Sequence, residues 1–309
     1  DYGIVRREHV LVQRGGNLLH LERRKEAVVD AVLERVGIDR LAEVGVGVHV
    51  VLALRRGRQA DLRSALDNRD LFVVYQPQID LASGAVVGIE ALLRWRTAAG
   101  EFVPLDQLIP VAEQSGLIVA VGSWVLRTAL AAQRELAARG YPLRMAVNVS
   151  PVQFRQPGFL DVVRDAIAES AIDPGLLELE ITESVALSGW VQIVERMHAI
   201  KALGALIAID DFGTGFSSLS YLARLPADCL KIDRSFVHAL DDQHSGTPIA
   251  AMVIQLGKQL GMRVLAEGVE DCGQLQTLVD LGCHEAQGMV YAPAMAQQDL
   301  LVWLGNRER

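Results

Sequence analysis

The stretch that decides the fold is Ala205-Leu206-Ile207-Ala208-Ile209-Asp210-Asp211-Phe212-Gly213-Thr214-Gly215-Phe216-Ser217-Ser218-Leu219. Its small and apolar residues lead straight into two adjacent carboxylates, which predicts a strand buried on both faces, as in a parallel sheet. Because side chains alternate along a strand, two adjacent acids cannot point the same way while the chain stays extended. We therefore expect the strand to end near Asp210 and a turn to start at Asp211. Gly213 and Gly215 give that turn its backbone freedom.

Two interpretations of this acidic pair stay open at this point. In the first, the pair is an ordinary strand end followed by a solvated acidic turn. In the second, it belongs to a site for divalent cations, because acids at the carboxyl end of a strand bind hard cations through oxygen. The other strands of the chain decide between the two interpretations.

Length and charge limit the class of protein. The 309 residues are 50% hydrophobic and 22% charged, enough for a barrel of about 250 residues plus an appendage. Residues 1–60 hold 11 basic and 8 acidic side chains, whereas the remaining residues hold 19 and 30, within a net charge of −8. An acidic main domain binds polymeric nucleic acid poorly. If it acts on phosphates, it needs metal ions to do so.

The cysteines and the hydropathy pattern indicate a cytoplasmic location. Cys229, Cys272 and Cys283 are odd in number and form no Cys-X-X-Cys pair, as expected in a reducing compartment. No apolar run approaches the roughly 18–20 residues of a membrane span, and no signal peptide is predicted. The chain starts at Asp1 rather than Met, so we expect it to be a fragment of a longer protein.

From residue 71 onward, short apolar strands alternate with amphipathic helices such as the one that carries Val125, Ala129, Ala132 and Leu136. This alternation predicts an α/β fold of the (β/α)8 TIM-type barrel class over residues 61–309. Residues 1–60 are predicted to be a small N-terminal appendage or the remnant of an upstream module. The predicted strands are 71–75, 86–93, 143–149, 176–181, 205–210, 229–233, 263–267 and 285–287.

Nearly every predicted strand ends in a polar side chain, in most cases a carboxylate and otherwise an amide or a lysine. The carboxyl ends of barrel strands converge on one mouth, where so many carboxylates would repel and raise one another's pKa. Two bound divalent cations would relieve that repulsion. Any one of these residues alone is more often a solvated loop residue, but one at each strand end favours a site. The residues are Glu90, Asn148, Glu180, Asp210, Asp211, Lys231, Asp233, Glu267 and Gln287.

These residues lie in a series of short motifs. The motifs are Tyr75-Gln76-Pro77, Glu90-Ala91-Leu92-Leu93-Arg94-Trp95, Asn148-Val149-Ser150, Glu180-Ile181-Thr182-Glu183, the stretch 210–219, Leu230-Lys231-Ile232-Asp233, Ala266-Glu267-Gly268-Val269-Glu270 and Gln287-Gly288. In this order they resemble the EAL family of cyclic dimeric GMP phosphodiesterases. The resemblance extends from about residue 62 to the C-terminus and does not include residues 1–60.

The resemblance implies two bound Mg²⁺ or Mn²⁺ ions that share Asp210. The ligands of the first ion would be Glu90, Asn148, Glu180 and Asp210. The ligands of the second would be Asp210, Asp211 and Glu267. Ca²⁺ is expected to inhibit, because it prefers more ligands at longer distances than octahedral Mg²⁺.

The resemblance also implies catalytic and substrate-binding residues. Lys231 would contact the attacking water, Glu267 would assist, and Glu183 would brace the loop 212–219, which couples metal binding to dimer contacts. The residues that would contact the substrate are Gln76, Leu92, Arg94, Asp233 and Gln287, with Arg94 at a phosphate. Structural alternatives are a surface ion pair for Arg94, a solvent-seeking side chain for Lys231 and an ordinary loop acid for Glu183.

The activity implied by the resemblance is metal-dependent hydrolysis of cyclic di-GMP to linear pGpG in bacterial signalling. The implied partners are a second copy of the barrel in a homodimer and an upstream sensory or GGDEF-type module. Two alternatives remain: a catalytically silent cyclic di-GMP receptor, and an unrelated metal-dependent barrel enzyme of the enolase-like kind. The complete set of implied metal ligands argues against the silent receptor.

Overall fold

The protein is described from a computed structural model. The structure describes residues 61–68, 70–97, 100–183, 185, 190–213, 222–241 and 247–307. Within the chain, Ala65–Arg309 form one compact unit, which holds every element named below. The predicted N-terminal segment, residues 1–60, lies outside the described residues.

Among the described residues, nine strands form one sheet, and eight of them close into a barrel. The strands are β1 (Leu71–Asp80), β2 (Val86–Arg96), β3 (Phe102–Val103), β4 (Arg144–Asn148), β5 (Leu177–Thr182), β6 (Leu206–Phe212), β7 (Cys229–Ile232), β8 (Arg263–Ala266) and β9 (Glu285–Ala286). Their order is β1-β9-β8-β7-β6-β5-β4-β2-β3, and a β1–β2 pairing closes the barrel. The predicted (β/α)8-type barrel is confirmed.

Helices fill the connections between the parallel strands. They are α1 (Leu105–Ser115), α2 (Ile118–Ala138), α3 (Pro151–Phe154), α4 (Phe159–Ser170), α5 (Trp190–Ala202), α6 (Arg234–His238), α7 (Thr247–Leu260), α8 (Cys272–Leu281) and α9 (Gln297–Arg307), with 3₁₀ turns at Pro174–Leu176 and Ala239–Asp241. The apolar residues that were predicted to form one face of α2 are buried, as expected where a helix packs against a barrel. No single helix in the described part of the chain has the length and hydropathy of a membrane span, although α1 and α2 together, bent by 119°, pass on length and composition.

Strand β1 departs from the all-parallel arrangement of the predicted barrel. It pairs antiparallel with both β2 and β9, because residues 81–85 are too few for the crossover that a parallel pair needs. It also continues through Pro77 to Asp80 rather than ending at Tyr75. The N–H of Tyr75 faces Met295 and not β2. The missing N–H of Pro77, two residues on, therefore costs no bond to β2.

Strand β6 runs through both acids of the opening stretch, so the predicted end at Asp210 is wrong by two residues. The backbone of Asp211 has a φ of 54°, and the register with β7 shifts between Ile209 and Phe212. This bulge breaks the alternation of side chains, and the carboxylates of Asp210 and Asp211 come to lie on one side. The turn begins at Gly213, which has a φ of 100°.

Candidate active site

Four carboxylates surround the ammonium group of Lys231 at the carboxyl end of the barrel. Lys231 is 1% exposed. Its Nζ lies 2.6 Å from Glu267 and 2.7 Å from Glu180. The same atom lies 3.2 Å from Asp210 and 3.8 Å from Glu90. The structure thus brings together the side chains that the strand-end argument placed at one mouth.

One ammonium cannot neutralise four carboxylates in a buried place. Burial raises the pKa of Glu180 well above its usual range, and burial raises that of Glu267 to about 8. Burial would lower the pKa of Lys231, but the attraction of Asp210, Glu180 and the other acids raises it well above its ordinary value. These raised pKa values indicate more carboxylates at the mouth than one ammonium can compensate, an imbalance that a bound cation would relieve.

The acids at the mouth also have the chemistry of a metal site. Asp210, Asp211 and Glu267 offer carboxylate oxygens that all lie within 4.8 Å of one another. Burial, with repulsion from Asp210 and Asp233, raises the pKa of Asp211 to about 6. Among the described residues, Oε1 of the buried Glu180 accepts no hydrogen bond, and its Oε2 lies 2.7 Å from the ammonium of Lys231. A donor set made of carboxylate oxygens, some lacking a hydrogen-bond donor, fits a hard divalent cation.

Two side-chain amides orient Glu90. Asn148 donates through Nδ2 to Oε1 at 2.6 Å, and Gln287 donates through Nε2 to Oε2 at 2.5 Å. Gln287 also donates to Oε1 of Gln76 at 3.0 Å, and Gln76 in turn donates to the carbonyl of Ala292 at 3.1 Å. Burial would raise the pKa of Glu90, but attraction from Lys231 and these bonds lowers it below its usual range.

Leu92 and Arg94 follow Glu90 along β2 and are partly exposed. Because side chains alternate along a strand, both lie on the face that carries Glu90. Arg94 donates through NH1 to the carbonyl of Leu93 at 2.8 Å. These two positions place an apolar and a cationic side chain above the acids, and their predicted contacts with substrate stay predictions.

Asp233 occupies a different element from the one predicted. Strand β7 ends at Ile232, and the Asp233 carboxylate caps α6 by accepting a hydrogen bond from the N–H of Ser235 at 3.0 Å. Asp233 still acts on the site electrostatically, because its negative charge helps to raise the pKa of Asp211.

Glu183 lies just after β5 and is buried. Its Oε2 accepts a hydrogen bond from the backbone N–H of Gly213 at 2.9 Å. Gly213 is the first residue after β6, so Glu183 holds the start of the predicted loop. Residues 214–219 of that loop lie outside the described residues.

Sequence analysis missed a second charged layer, at the amino end of the barrel. Arg144 lies 3.2 Å from Glu178 and 2.5 Å from Glu285. Arg263 contacts Glu178 and lies 3.1 Å from Glu285. All four residues stand at the first or second position of their strands. Charged residues repeated at the starts of apolar strands were the available signal.

Comparison with known proteins gives one family and several relatives. The family model described as EAL domain matches residues 59–294. An uncharacterized signaling protein of Caulobacter vibrioides is 42% identical over 249 residues, which are 81% of this chain and 30% of that protein. The bifunctional diguanylate cyclase/cyclic di-GMP phosphodiesterase MucR of Pseudomonas aeruginosa is 40% identical over 242 residues, which are 78% of this chain and 35% of MucR.

A solved structure of the PaMucR phosphodiesterase in its c-di-GMP complex has a TM-score of 0.76 at 40% identity, covering 78% of this chain and 98% of that one. The chain spans about a third of the length of the curated relatives described above.

Proposed function

The chain belongs to the EAL domain family, and we propose on that basis that it is a metal-dependent phosphodiesterase that hydrolyses cyclic di-GMP to linear pGpG. The observation that carries the proposal is the ring of four carboxylates around the buried Lys231 at the barrel mouth. Support also comes from MucR, a protein named as a cyclic di-GMP phosphodiesterase, and from the c-di-GMP complex of PaMucR.

The residues at the mouth fit two Mg²⁺ or Mn²⁺ ions. The first would be held by Glu90, Asn148, Glu180 and Asp210. The second would be held by Asp210, Asp211 and Glu267. Such ions neutralise a phosphodiester, lower the pKa of water and stabilise the departing oxygen.

The side chains around these ligands would activate the water and bind the substrate. In the reaction, the water oxygen bonds to phosphorus, the P–O bond to the 3′ oxygen breaks, and that oxygen takes up a proton. Lys231 would hold positive charge beside the water as it loses its proton. Glu267, whose Oε1 lies 2.6 Å from Nζ of Lys231, is the second group that could act on that proton. Arg94 would bind a phosphate oxygen through a charge-assisted hydrogen bond. The amides of Gln76 and Gln287 would line the substrate-binding site.

Incubating the chain with cyclic di-GMP should yield pGpG when Mn²⁺ or Mg²⁺ is present, because the acidic mouth repels an anionic substrate otherwise. Excess EDTA should stop turnover, added Mn²⁺ should restore it, and Ca²⁺ should inhibit. The measurement is separation of the nucleotides after timed incubation.

Full turnover in excess EDTA would refute the metal-dependent mechanism. Tight binding of cyclic di-GMP without any hydrolysis would instead support the silent receptor. Failure to bind or cleave cyclic di-GMP, with metal-dependent turnover of another substrate, would favour the unrelated barrel enzyme.

Glu183→Ala should weaken the apparent affinity for Mg²⁺ in turnover by about 10–100-fold, the range for residues that orient metal ligands. The substitution removes the acceptor for the N–H of Gly213, two residues beyond Asp211. Higher Mg²⁺ should restore part of the rate, and Glu183→Gln, which keeps an acceptor oxygen, should be affected less. A metal titration unchanged by Glu183→Ala would leave Glu183 as an ordinary loop acid.

We extend the proposal to the protein's setting. A homodimer through the barrel, a cytoplasmic location and an upstream sensory or GGDEF-type module are expected from the family resemblance and the cysteine pattern. The bifunctional name of MucR supports the upstream module, because the matched segment is 35% of that protein. Sedimentation of the purified chain tests the dimer.

A further inference from the structure

A continuous chain of hydrogen bonds runs through the barrel interior from the charged layer at its amino end to Glu90. Arg144 donates through NH2 to Oε1 of Gln78 at 3.0 Å. Gln78 donates through Nε2 to Oε1 of Gln287 at 3.1 Å. Gln287 donates through Nε2 to Oε2 of Glu90 at 2.5 Å. All four side chains are buried, and Gln78 is 0% exposed.

The two ends of this chain fix the direction of every bond in it. A guanidinium can only donate and an ionised carboxylate can only accept, whereas a glutamine amide does both. Arg144 therefore requires the oxygen of Gln78, which leaves the NH2 of Gln78 for Gln287. Gln287 must then accept with its oxygen and present its own NH2 to Glu90. The amide of Gln78 thus helps to select the orientation of the Gln287 amide, together with Gln76, whose Oε1 accepts from the same NH2 group.

The base of the chain is held in place by charge. Arg144 is tied to Glu178 and Glu285, and Arg263 contacts both of those acids. Removing one partner of a buried ion pair costs much stability, because the other charge is left unpaired. Arg144 therefore has little freedom to move when Gln78 is changed.

Strand β2 leaves room for the link. Gly88 lies two residues before Glu90, and a Cβ there would come within 2.5 Å of Oε1 of Gln78 and 3.2 Å of NH2 of Arg144. A side chain at position 88 would therefore displace the atoms that form the first bond of the chain. The strand conformation itself does not require glycine at this position, since Gly88 is not among the residues with positive φ.

We propose that Gln78 is a positioning residue, which orients the amide of Gln287 so that its NH2 holds the Glu90 carboxylate in place as a metal ligand. This proposal rests on the proposed function, because that function makes Glu90 a ligand. Gln78 itself is buried behind the site and is joined to Glu90 through Gln287.

The proposal predicts effects of different size for two substitutions of Gln78. In Gln78→Glu, the new carboxylate accepts from Arg144 but cannot donate to Gln287. To donate to position 78, the Gln287 amide would have to turn, which would place its oxygen against the acceptor oxygens of Glu90 and Gln76. In Gln78→Met, the link is lost but nothing reverses the amide. Gln78→Glu should therefore weaken metal binding by Glu90 more than Gln78→Met does.

The test is Mn²⁺ binding to the 309-residue chain by calorimetry without substrate, together with kcat and KM at saturating Mn²⁺. We expect the Mn²⁺ affinity to fall by about 10–100-fold, as for other residues that orient metal ligands, and more in Gln78→Glu than in Gln78→Met. Saturating Mn²⁺ should restore most of kcat in Gln78→Met. Gly88→Ala should weaken Mn²⁺ binding in the same direction, although it removes no hydrogen-bonding group.

The matched control is Gln133→Met. Gln133 on α2 is also a buried glutamine, 1% exposed, and donates to the carbonyl of Leu143 at 3.4 Å. Its loss should lower the melting temperature without changing Mn²⁺ affinity. If Gln78→Glu does not fold, Gln78→Met and Gly88→Ala decide the question.

Wild-type Mn²⁺ affinity in Gln78→Met, or a loss equal to that of Gln133→Met, would overturn the proposal. A wild-type chain that binds Mn²⁺ but does not cleave cyclic di-GMP would refute the proposed function alone, because the affinities of the variants still decide the role of Gln78. A wild-type chain that binds no Mn²⁺ would overturn both.

Discussion

Lys231→Ala should lower kcat by about 10²–10⁴-fold at saturating Mn²⁺, the combined range for lost proton-transfer and oxyanion-stabilising groups. The Nζ of Lys231 lies between Glu180 and Glu267 at 2.7 and 2.6 Å, where it supplies positive charge to the interior of the mouth. KM should change less, because Arg94 and the bound ions would hold the phosphates. Measuring kcat and KM separately tests this difference.

Companion variants separate the charge of Lys231 from its packing. Lys231→Met keeps an unbranched stem and should lose as much kcat as Lys231→Ala. Lys231→Arg should not restore full activity, because a planar guanidinium does not fit a place where the native side chain is 1% exposed. Lys201→Ala is the control, since Lys201 is a partly exposed lysine that pairs with Asp228 at 2.6 Å. Its kcat should stay near the wild-type value.

Melting curves with and without Mn²⁺ check that the Lys231 variants fold. If Lys231→Ala turns over normally, or loses affinity and kcat in equal measure, Lys231 does not activate the water. That role would then pass to Glu267.

Glu90→Ala should abolish measurable turnover and lower Mn²⁺ affinity by more than about 100-fold. Residues that merely orient ligands cost 10–100-fold, so the loss of a ligand should cost more. The barrel should stay folded, because Glu90 lies at the mouth and its removal leaves no cavity in the apolar core. Mn²⁺ calorimetry and the nucleotide assay measure both effects.

Glu90→Gln distinguishes the charge of Glu90 from its shape. Both Asn148 and Gln287 donate to Glu90, so an amide at this position would place one NH2 group against another. We expect Glu90→Gln to be as inactive as Glu90→Ala. The exposed Glu101 provides the control, and Glu101→Ala should behave as wild type. Near-normal turnover by Glu90→Ala would show that Glu90 is not a ligand in this protein.

The barrel and the composition of its mouth were predictable from local sequence. Apolar runs such as 205–209 indicate buried strands, and the polar groups that follow them indicate where each strand ends. Glu90, Glu180, Asp210, Lys231 and Glu267 could therefore be placed together before any coordinates, because all parallel barrel strands end at the same mouth. Motif order then supplied the expected chemistry.

Local backbone geometry was less predictable than strand position. The conflict between two adjacent acids and strand alternation was recognised, but it could be resolved by ending the strand or by a bulge. The structure takes the bulge at Asp211, with a φ of 54°. Asp233 likewise continues an apolar pattern, yet the serine two residues later makes it the cap of a helix.

Pairings between distant parts of the chain were decided by tertiary structure alone. The antiparallel course of β1 sets Gln76 opposite Glu90, and the bond between Gln78 and Gln287 joins residues 209 positions apart. The charged layer of Arg144, Arg263 and their acids has the same origin. A local pattern records the burial and period of one segment, whereas these contacts depend on which segments become neighbours when the barrel closes.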